Sequence, residues 1–225
     1  MPDKTMIALR GLEDRPRLLD PELIAVCRAS GARRLQINVD DVDVDGAMRI
    51  SELDPPIDAV VSVWGADPEP VLDALRQCCV APAAWSVTER VPLTYATAGD
   101  GSRVDALANV AFLRRPGDLA RAEWLRIWLE EHTQVAIETQ ATFGYVQNVV
   151  DEPLTPDAPL VDAIVEELFP MAAVADMHAF YGSGGDQAEL ERRMTRMLES
   201  VVRFGADRNL DVVPTSRYDF DFSAG

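Results

Sequence analysis

Apolar residues follow two spacings that alternate along the chain. Short runs rich in Val, Ile and Ala are typical of strands, and longer segments with apolar residues three or four apart, opened by Pro, are typical of helices. The first half predicts strands at 6–10, 34–39, 59–64 and 84–88, with helices at 21–29 and 68–78. The second half predicts strands at 106–113, 144–150, 163–169 and 210–216, a helix at 119–139, and a helical region at 171–203 interrupted by "YGSGGD".

The same order of elements is written twice. "IALRG" at 7–11 matches "AFLRR" at 111–115, and "IDAVVSV" at 57–63 matches "VDAIVEE" at 161–167, both at an offset of 104 residues. "LQINVDD" at 35–41 parallels "VQNVVDE" at 146–152 at an offset of 111, which indicates a loop insertion. Such self-similarity is the signature of a repeated structural unit.

Each half has the order strand, helix, strand, strand, helix, strand, which is that of the ferredoxin-like unit, with both helices on one face of an antiparallel sheet. Packing the two bare sheet faces against each other buries both. The sequence therefore predicts an α+β protein of two tandem ferredoxin-like units, residues 1–98 and 104–225, packed as an intrachain dimeric α+β barrel. The Gly-rich segment 96–103 is the predicted joint.

Charge and composition restrict the partners. The formal net charge of −17 opposes the phosphate-neutralising surface that nucleic acids need, and it opposes adsorption on anionic lipid. The N-terminal sequence has no apolar leader, and no run of apolar residues is long enough to span a membrane. Cys27, Cys78 and Cys79 have no CxxC spacing and indicate reduced thiols. We expect a cytoplasmic protein with neither nucleic acid nor membrane as a partner.

The second half resembles a known family. "FLRRPGDLARAEWLRIWLEEH" at 112–132, followed by "GYVQN" at 144–148, is similar to the EthD domain of the dimeric α+β barrel superfamily. That family has an Arg-x-Pro-Gly turn, then a helix with an aromatic residue, Trp and His at four-residue spacing, as at Trp124, Trp128 and His132. The equivalent helix of the first half lacks the Trp and the His. The resemblance therefore implies a degenerate first unit that supplies sheet and barrel wall.

The resemblance implies a site around His132. Residues 124, 128 and 132 lie on one helical stripe, so His132 points with the tryptophans toward the sheet. The imidazole is either a general base working near neutral pH or a core side chain packed under Trp128, and the sequence leaves both open. It also leaves open ligation of a haem by His132, because other families of the superfamily use a helix histidine in that way.

A second set of candidates comes from the strand that follows. Tyr145 joins His132 as the predicted catalytic pair. The predicted ligand-binding residues are Trp128, Gln147, Asn148 and Tyr181. Tyr145 and Gln147 project from one strand face and Asn148 from the other. A pocket lined by Trp128, His132, Tyr145 and Gln147 is expected in the second half and not at the matching place in the first, because the offset places Arg34 where the second half has Tyr145.

One acidic segment imitates a metal site. "DVDVDGAMRISE" at 41–52 has the spacing of an EF-hand calcium loop. The preceding "RLQINV" alternates like a strand, and Pro55 and Pro56 block the exiting helix, so we predict an acidic loop. The sequence has no GxGxxG opening a helix, no Walker loop, no GxSxG and no HExxH, and we expect neither a cofactor nor a metal.

Two functions remain after these exclusions. EthD-like proteins are tied to ether degradation and to dehydration of anthrone precursors, which implies a cofactor-independent enzyme of dehydratase or degradation type acting on a small apolar or aromatic molecule. His132 would then move a proton while Tyr145 and Gln147 hold a substrate oxygen. The alternative is a non-catalytic ligand-binding or accessory protein, and a homodimer of the fused barrel is left open.

Overall fold

The computed structural model describes residues 3–12 and 14–223, which contain nine strands and six α-helices. The strands are β1 (Lys4–Arg10), β2 (Arg34–Val39), β3 (Ile57–Trp64), β4 (Ala83–Leu93), β5 (Asp100–Arg103), β6 (Leu107–Leu113), β7 (Gly144–Pro153), β8 (Ala163–Phe169) and β9 (Leu210–Asp221). The helices are α1 (Pro21–Ala29), α2 (Pro68–Leu75), α3 (Arg121–Arg126), α4 (Thr133–Thr139), α5 (Met177–Tyr181) and α6 (Gln187–Val202).

The strands form one antiparallel sheet that closes on itself. Eight of them follow the order β2-β3-β1-β4-β7-β8-β6-β9, and β9 pairs with β2 to complete the ring. The short strand β5 pairs with the end of β9. Closure gives each ring strand two neighbours, which removes the free edges that an open sheet would expose. The α+β class and the antiparallel barrel predicted from the sequence are confirmed.

Alternation along each strand gives the barrel an inward and an outward face. Apolar inward side chains from both halves fill one end of the barrel, where the Trp85 and Phe112 ring centroids lie 5.9 Å apart. The outward face of the first four strands packs beneath α1 and α2. The outward face of β6, β7, β8 and β9 packs beneath α3, α4 and α6.

The two halves share a pairing register. Thr5 pairs with Val63 in the first half, and Asn109 pairs with Glu167 in the second. Both members of the second pair lie 104 positions after their counterparts, which is the offset read from the repeat.

The second strand of each half, β2 and β7, corrects the expected alignment. Leu35 faces Val63 as Tyr145 faces Glu167, so Tyr145 corresponds to Leu35 at an offset of 110. The expectation that Arg34 takes the place of Tyr145 is therefore wrong by one residue. A shift of one residue along a strand moves a side chain to the opposite face.

Several boundaries also differ from the sequence prediction. The predicted joint at 96–103 contains β5, and β4, β7 and β9 extend beyond their predicted ends. The predicted helix at 119–139 is interrupted by a π-helical turn, Ile127–His132. No helix among the described residues has the length and apolar character needed to cross a membrane.

The acidic segment 41–52 crosses from the first half to the second. Asp41 accepts hydrogen bonds from the Asp43 backbone N–H and the Ser216 hydroxyl, at 3.1 and 2.9 Å. Ile50 forms a bridge with Val212 of β9. Within residues 3–12 and 14–223, no group of three His, Cys, Asp or Glu side chains is arranged to hold a metal.

Trp85→Ala tests the importance of the barrel core. Trp85 is 1% exposed, and truncating a buried Trp costs about 3–5 kcal/mol through lost burial and a residual cavity. Urea denaturation should show this loss, whereas Val42→Ala, at a residue 82% exposed, should change the free energy of unfolding by less than about 0.5 kcal/mol. Equal costs for the two variants would contradict a packed barrel interior.

Candidate functional site

A cavity of about 200 Å³ lies in the second half, between the outward face of the sheet and the helices that cover it. Most of its lining is apolar, and Met48 and Ile50 of the acidic segment close one side. The polar side chains that line it are Asn109, His132, Gln140, Tyr145, Glu167 and Tyr181. A mostly apolar cavity with a few convergent polar groups is the usual form of a small-molecule site.

A break in the helix places His132. Helix α3 passes into the π turn Ile127–His132 before α4 begins. The Thr133 hydroxyl lies 3.0 Å from the carbonyl oxygens of Trp128 and Leu129, and it accepts a hydrogen bond from Gln147 Nε2 at 2.9 Å. The strand therefore supports the irregular turn from below. Single π turns within α-helices occur frequently at functional sites.

His132 is held on two sides. Its Nδ1 lies 2.9 Å from Ser200 Oγ on α6, and its ring centroid lies 4.7 Å from that of Phe204. Burial lowers the pKa of His132 to about 4, so the imidazole is neutral at physiological pH. If Nδ1 carries the proton and donates to Ser200, Nε2 keeps its lone pair and can accept a hydrogen bond.

Three polar side chains form a row across the outward face of β7, β8 and β6. Tyr145 stands directly opposite Glu167, and Glu167 stands opposite Asn109. Directly opposed side chains in an antiparallel pair lie about 4.5–5.5 Å apart at Cβ, which is close enough to act on one small molecule. Glu167 Oε1, Asn109 Oδ1 and Gln140 Oε1 are sealed from solvent and have no hydrogen-bond partner among the described residues.

Burial raises the pKa values of two side chains in this row, Glu167 and Tyr145. It raises the pKa of Glu167 to about 8. It also raises the pKa of Tyr145 well above the ordinary value, with a smaller contribution from the charge of Glu167. Glu167 thus exchanges its proton near physiological pH, where an acid–base group is most effective, whereas the His132 imidazole is too weakly basic for that role.

The structure separates the residues predicted from the sequence into two groups. Those that line the cavity are Trp128, His132, Tyr145 and Tyr181. Gln147 shares the face of Tyr145 but lies under the π turn, bonded to Thr133. Asn148 lies inside the barrel, where its Oδ1 accepts from Lys4 Nζ at 2.7 Å and its Nδ2 donates to the Ile164 carbonyl at 3.1 Å. Neither Gln147 nor Asn148 is brought to the cavity.

Comparison with known proteins identifies the fold. No family model and no curated protein matches the sequence. The chain is similar to the solved structure of an anthrone oxidase-like protein, with a TM-score of 0.61 and 9% identity over 99% of this chain and 94% of the other. It is also similar to a candidate monooxygenase from Fusobacterium nucleatum, with a TM-score of 0.50 and 6% identity over 97% and 94% of the two chains. The chain has an α+β barrel fold similar to that of dimeric α+β barrel proteins.

Haem does not fit this cavity. A volume of about 200 Å³ is below the range of about 300–1,000 Å³ usual for drug-sized ligands, and a haem is larger than most of these. The Phe204 ring packs against His132, with the two ring centroids 4.7 Å apart, and takes up space beside the imidazole. The interpretation of His132 as a haem ligand is therefore not supported by the packing around it.

Sequence reasoning missed Glu167, Asn109 and Gln140. One signal was present, because "AIVEELF" places Glu166 and Glu167 side by side in an otherwise apolar strand. Adjacent strand residues point to opposite faces, so one carboxyl enters the barrel and the other enters the cavity. In the first half the corresponding outward positions are Leu35 and Val63, which belong to the apolar core beneath α1 and α2.

Glu167→Gln is expected to change how stability depends on pH. The folded-state pKa of about 8 lies above the ordinary value of 4.5, so this carboxyl contributes stability that is fully present below pH 4.5 and is lost as the pH rises through 8. Relative to Glu167→Gln, the wild-type free energy of unfolding should fall by up to about 1.4 kcal/mol per pH unit across this window. Urea denaturation at several pH values measures it.

Two controls make this comparison specific. Glu166 also has a raised pKa, of about 7, but it titrates in both proteins and cancels in the difference. Glu199→Gln, at an exposed position on α6, should keep the wild-type slope. Parallel curves for wild type and Glu167→Gln would show that Glu167 is ionised throughout the window.

Proposed function

We propose that this protein is a cofactor-independent, EthD-like enzyme that moves a proton on a small hydroxylated aromatic molecule. The observation that carries this proposal is the placement of Glu167 beside Tyr145 in a mostly apolar cavity. A carboxyl that titrates near neutral pH is matched to acid–base work at physiological pH. Chemistry of the dehydratase or degradation type needs such a group.

The cavity restricts the size of the substrate. A cavity of about 150 Å³ lined by apolar side chains holds a benzene molecule. The volume of about 200 Å³ therefore suits a single substituted ring. Trp128, Phe204 and other apolar side chains supply the surface against which such a ring packs.

The unpaired oxygens restrict the substrate's chemistry. Glu167 Oε1, Asn109 Oδ1 and Gln140 Oε1 are acceptors, and leaving a buried acceptor unpaired costs about 1–3 kcal/mol each. A ligand with O–H or N–H donors removes that cost. A phenol combines a ring of the right size with such a donor, and the anthrone oxidase-like neighbour is also named for an aromatic compound.

The proposed step is a tautomerisation. The Glu167 carboxylate takes the phenolic O–H proton, the resulting negative charge spreads onto a ring carbon, and the protonated carboxyl returns a proton to that carbon. No electrons leave the substrate, so no co-reactant is needed. The Tyr145 hydroxyl and the neutral His132 ring lie in the same cavity and hold the substrate oxygen as its charge changes.

The proposal includes the organisation of the chain. We propose residues 1–98 and 104–225 as two ferredoxin-like units of a tandem EthD-like protein, the first supplying barrel wall. The shared register at an offset of 104 residues supports this, as do the apolar Leu35 and Val63 where the second half has Tyr145 and Glu167. Three free cysteines favour a reducing compartment, the cytoplasm.

One observation favours the alternative, a non-catalytic ligand-binding protein. His132 is hydrogen-bonded to Ser200, packs against the tilted ring of Phe204 and has a pKa lowered to about 4 by burial, which is the environment of a structural histidine. In that case the same cavity would hold a phenol without changing it.

Hydrogen–deuterium exchange separates the two functions. Resorcinol is a single ring with two donors, and its keto tautomer exchanges a ring proton with solvent. In D2O the wild type should accelerate ring deuteration at least about 100-fold more than Glu167→Gln, as expected for loss of a general acid–base group. Glu199→Gln should behave as the wild type. Binding of resorcinol, followed by NMR, with equal exchange in all three proteins would favour the binding function, and neither binding nor exchange would contradict the proposal.

His132→Ala measures the structural contribution of the histidine. The change removes the partner of Ser200 and leaves a void beside Phe204, so we expect a loss of about 1–3 kcal/mol in the free energy of unfolding. Denaturation in urea gives this value. An unchanged stability combined with abolished resorcinol exchange would instead return the acid–base role to His132.

A further inference from the structure

The inward face of the barrel becomes polar at the end opposite its apolar core. Lys4 Nζ donates to Glu89 at 2.6 Å and to Asn148 at 2.7 Å. Arg217 donates to both carboxylate oxygens of Asp219 at 3.0 Å. Burying these charges is costly unless they are paired, so the network must be supported by its own contacts.

A second cavity, of about 370 Å³, opens at this polar end. Its wall is formed by residues at the ends of β2, β3 and β9 and by several residues in the range 89–97. It lies on the inward side of the sheet, whereas the cavity around Glu167 lies on the outward side. The proposed enzymatic function uses none of its residues.

Hydrogen-bond donors without partners face this cavity. The Arg34 guanidinium lies 4.2 Å from the centroid of the Trp64 ring. Among the described residues it forms no hydrogen bond and no direct ion pair, and Asp221 stands opposite it on β9. The Tyr95 hydroxyl is sealed from solvent and has no partner among the described residues. Arg217, 1% exposed, stacks on Tyr95 at 4.5 Å. Its Nη1 lies 2.7 Å from Glu166 Oε1 but is not aligned for a hydrogen bond.

Both carboxylates on the same cavity already accept hydrogen bonds. Glu89 accepts from Lys4 and from Trp64 Nε1, at 2.6 and 3.4 Å. Asp221 Oδ1 accepts from the backbone N–H of Ser223 at 2.8 Å. The unpaired donors Arg34 and Tyr95 can therefore bind an acceptor that a ligand supplies.

We propose that this cavity binds a small aromatic carboxylate. A carboxylate offers two acceptor oxygens in the geometry that a guanidinium fork matches, which suits Arg34, and the Tyr95 hydroxyl can donate to the same group. The Trp64 and Tyr95 rings contact the ligand's ring. Arg217 is already paired with Asp219, which leaves Arg34 to bind the carboxylate. Glu89 and Asp221 on the same cavity disfavour a second negative charge, so a carboxylate monoanion fits better than a phosphate dianion.

Benzoate is the probe that tests this site, with benzyl alcohol and inorganic phosphate as comparisons. Calorimetric titration of the whole chain should show benzoate binding to the wild type and neither comparison compound binding. Arg34→Gln should weaken benzoate binding about tenfold or more, because a charge-assisted pair is lost, and Tyr95→Phe should weaken it several-fold.

Two control variants establish whether benzoate binds in this cavity. Arg28→Gln removes a guanidinium that stacks on Phe222 at 4.8 Å outside the cavity, and it should leave benzoate binding unchanged. Glu167→Gln should also leave it unchanged. Circular dichroism establishes that each variant is folded, and Tyr95→Phe carries the test if Arg34→Gln is not. The proposal is overturned if benzoate does not bind at about 10 mM, if phosphate binds in its place, or if both site variants bind benzoate as the wild type does.

Discussion

Strand β9 pairs with β6 through its first half and with β2 through its second, and this shared pairing closes the barrel. Closure isolates the inward side chains from bulk water, so each polar group there must find its partner within the barrel. Apolar side chains fill one end of the barrel, and a hydrogen-bonded network of amide and charged side chains lies at the other end. The helices pack on the outward face of the sheet. In the second half that face also carries the row of Asn109, Tyr145 and Glu167, whereas in the first half Leu35 and Val63 occupy the positions of Tyr145 and Glu167.

Much of the architecture could be predicted from the spacing of apolar residues, because strands and helices bury one face at different periods. The alignment of β2 with β7 could not be predicted in this way. "VQNVVDE" matches "LQINVDD" well when shifted by one residue, yet that shift exchanges the two faces of the strand. Pairing distances decide this question, and sequence similarity alone does not contain them.

The candidate site was less accessible to sequence reasoning than the fold. The four-residue spacing of Trp124, Trp128 and His132 is compatible with a regular α-helix. This spacing therefore does not indicate the π turn that the structure shows. The sequence places Gln147 and Tyr145 on one strand face without deciding which face lines the cavity, and in the structure the Gln147 amide donates to the Thr133 hydroxyl. Asn109, Tyr145 and Glu167 come from three separate strands, and only the folded sheet brings them into one row.

The cavity of the second half takes part of its wall from the first. Met48 and Ile50 reach it from the segment between β2 and β3, and Ile50 is tied to β9 through Val212. A fragment containing only the second half would retain the polar row, but the cavity would be open on the side that Met48 and Ile50 cover. It would also expose two unpaired strand edges. Whatever the ancestry of the two halves, a gene segment that encodes this cavity with all of its walls must include Met48 and Ile50 of the first half as well as the second half.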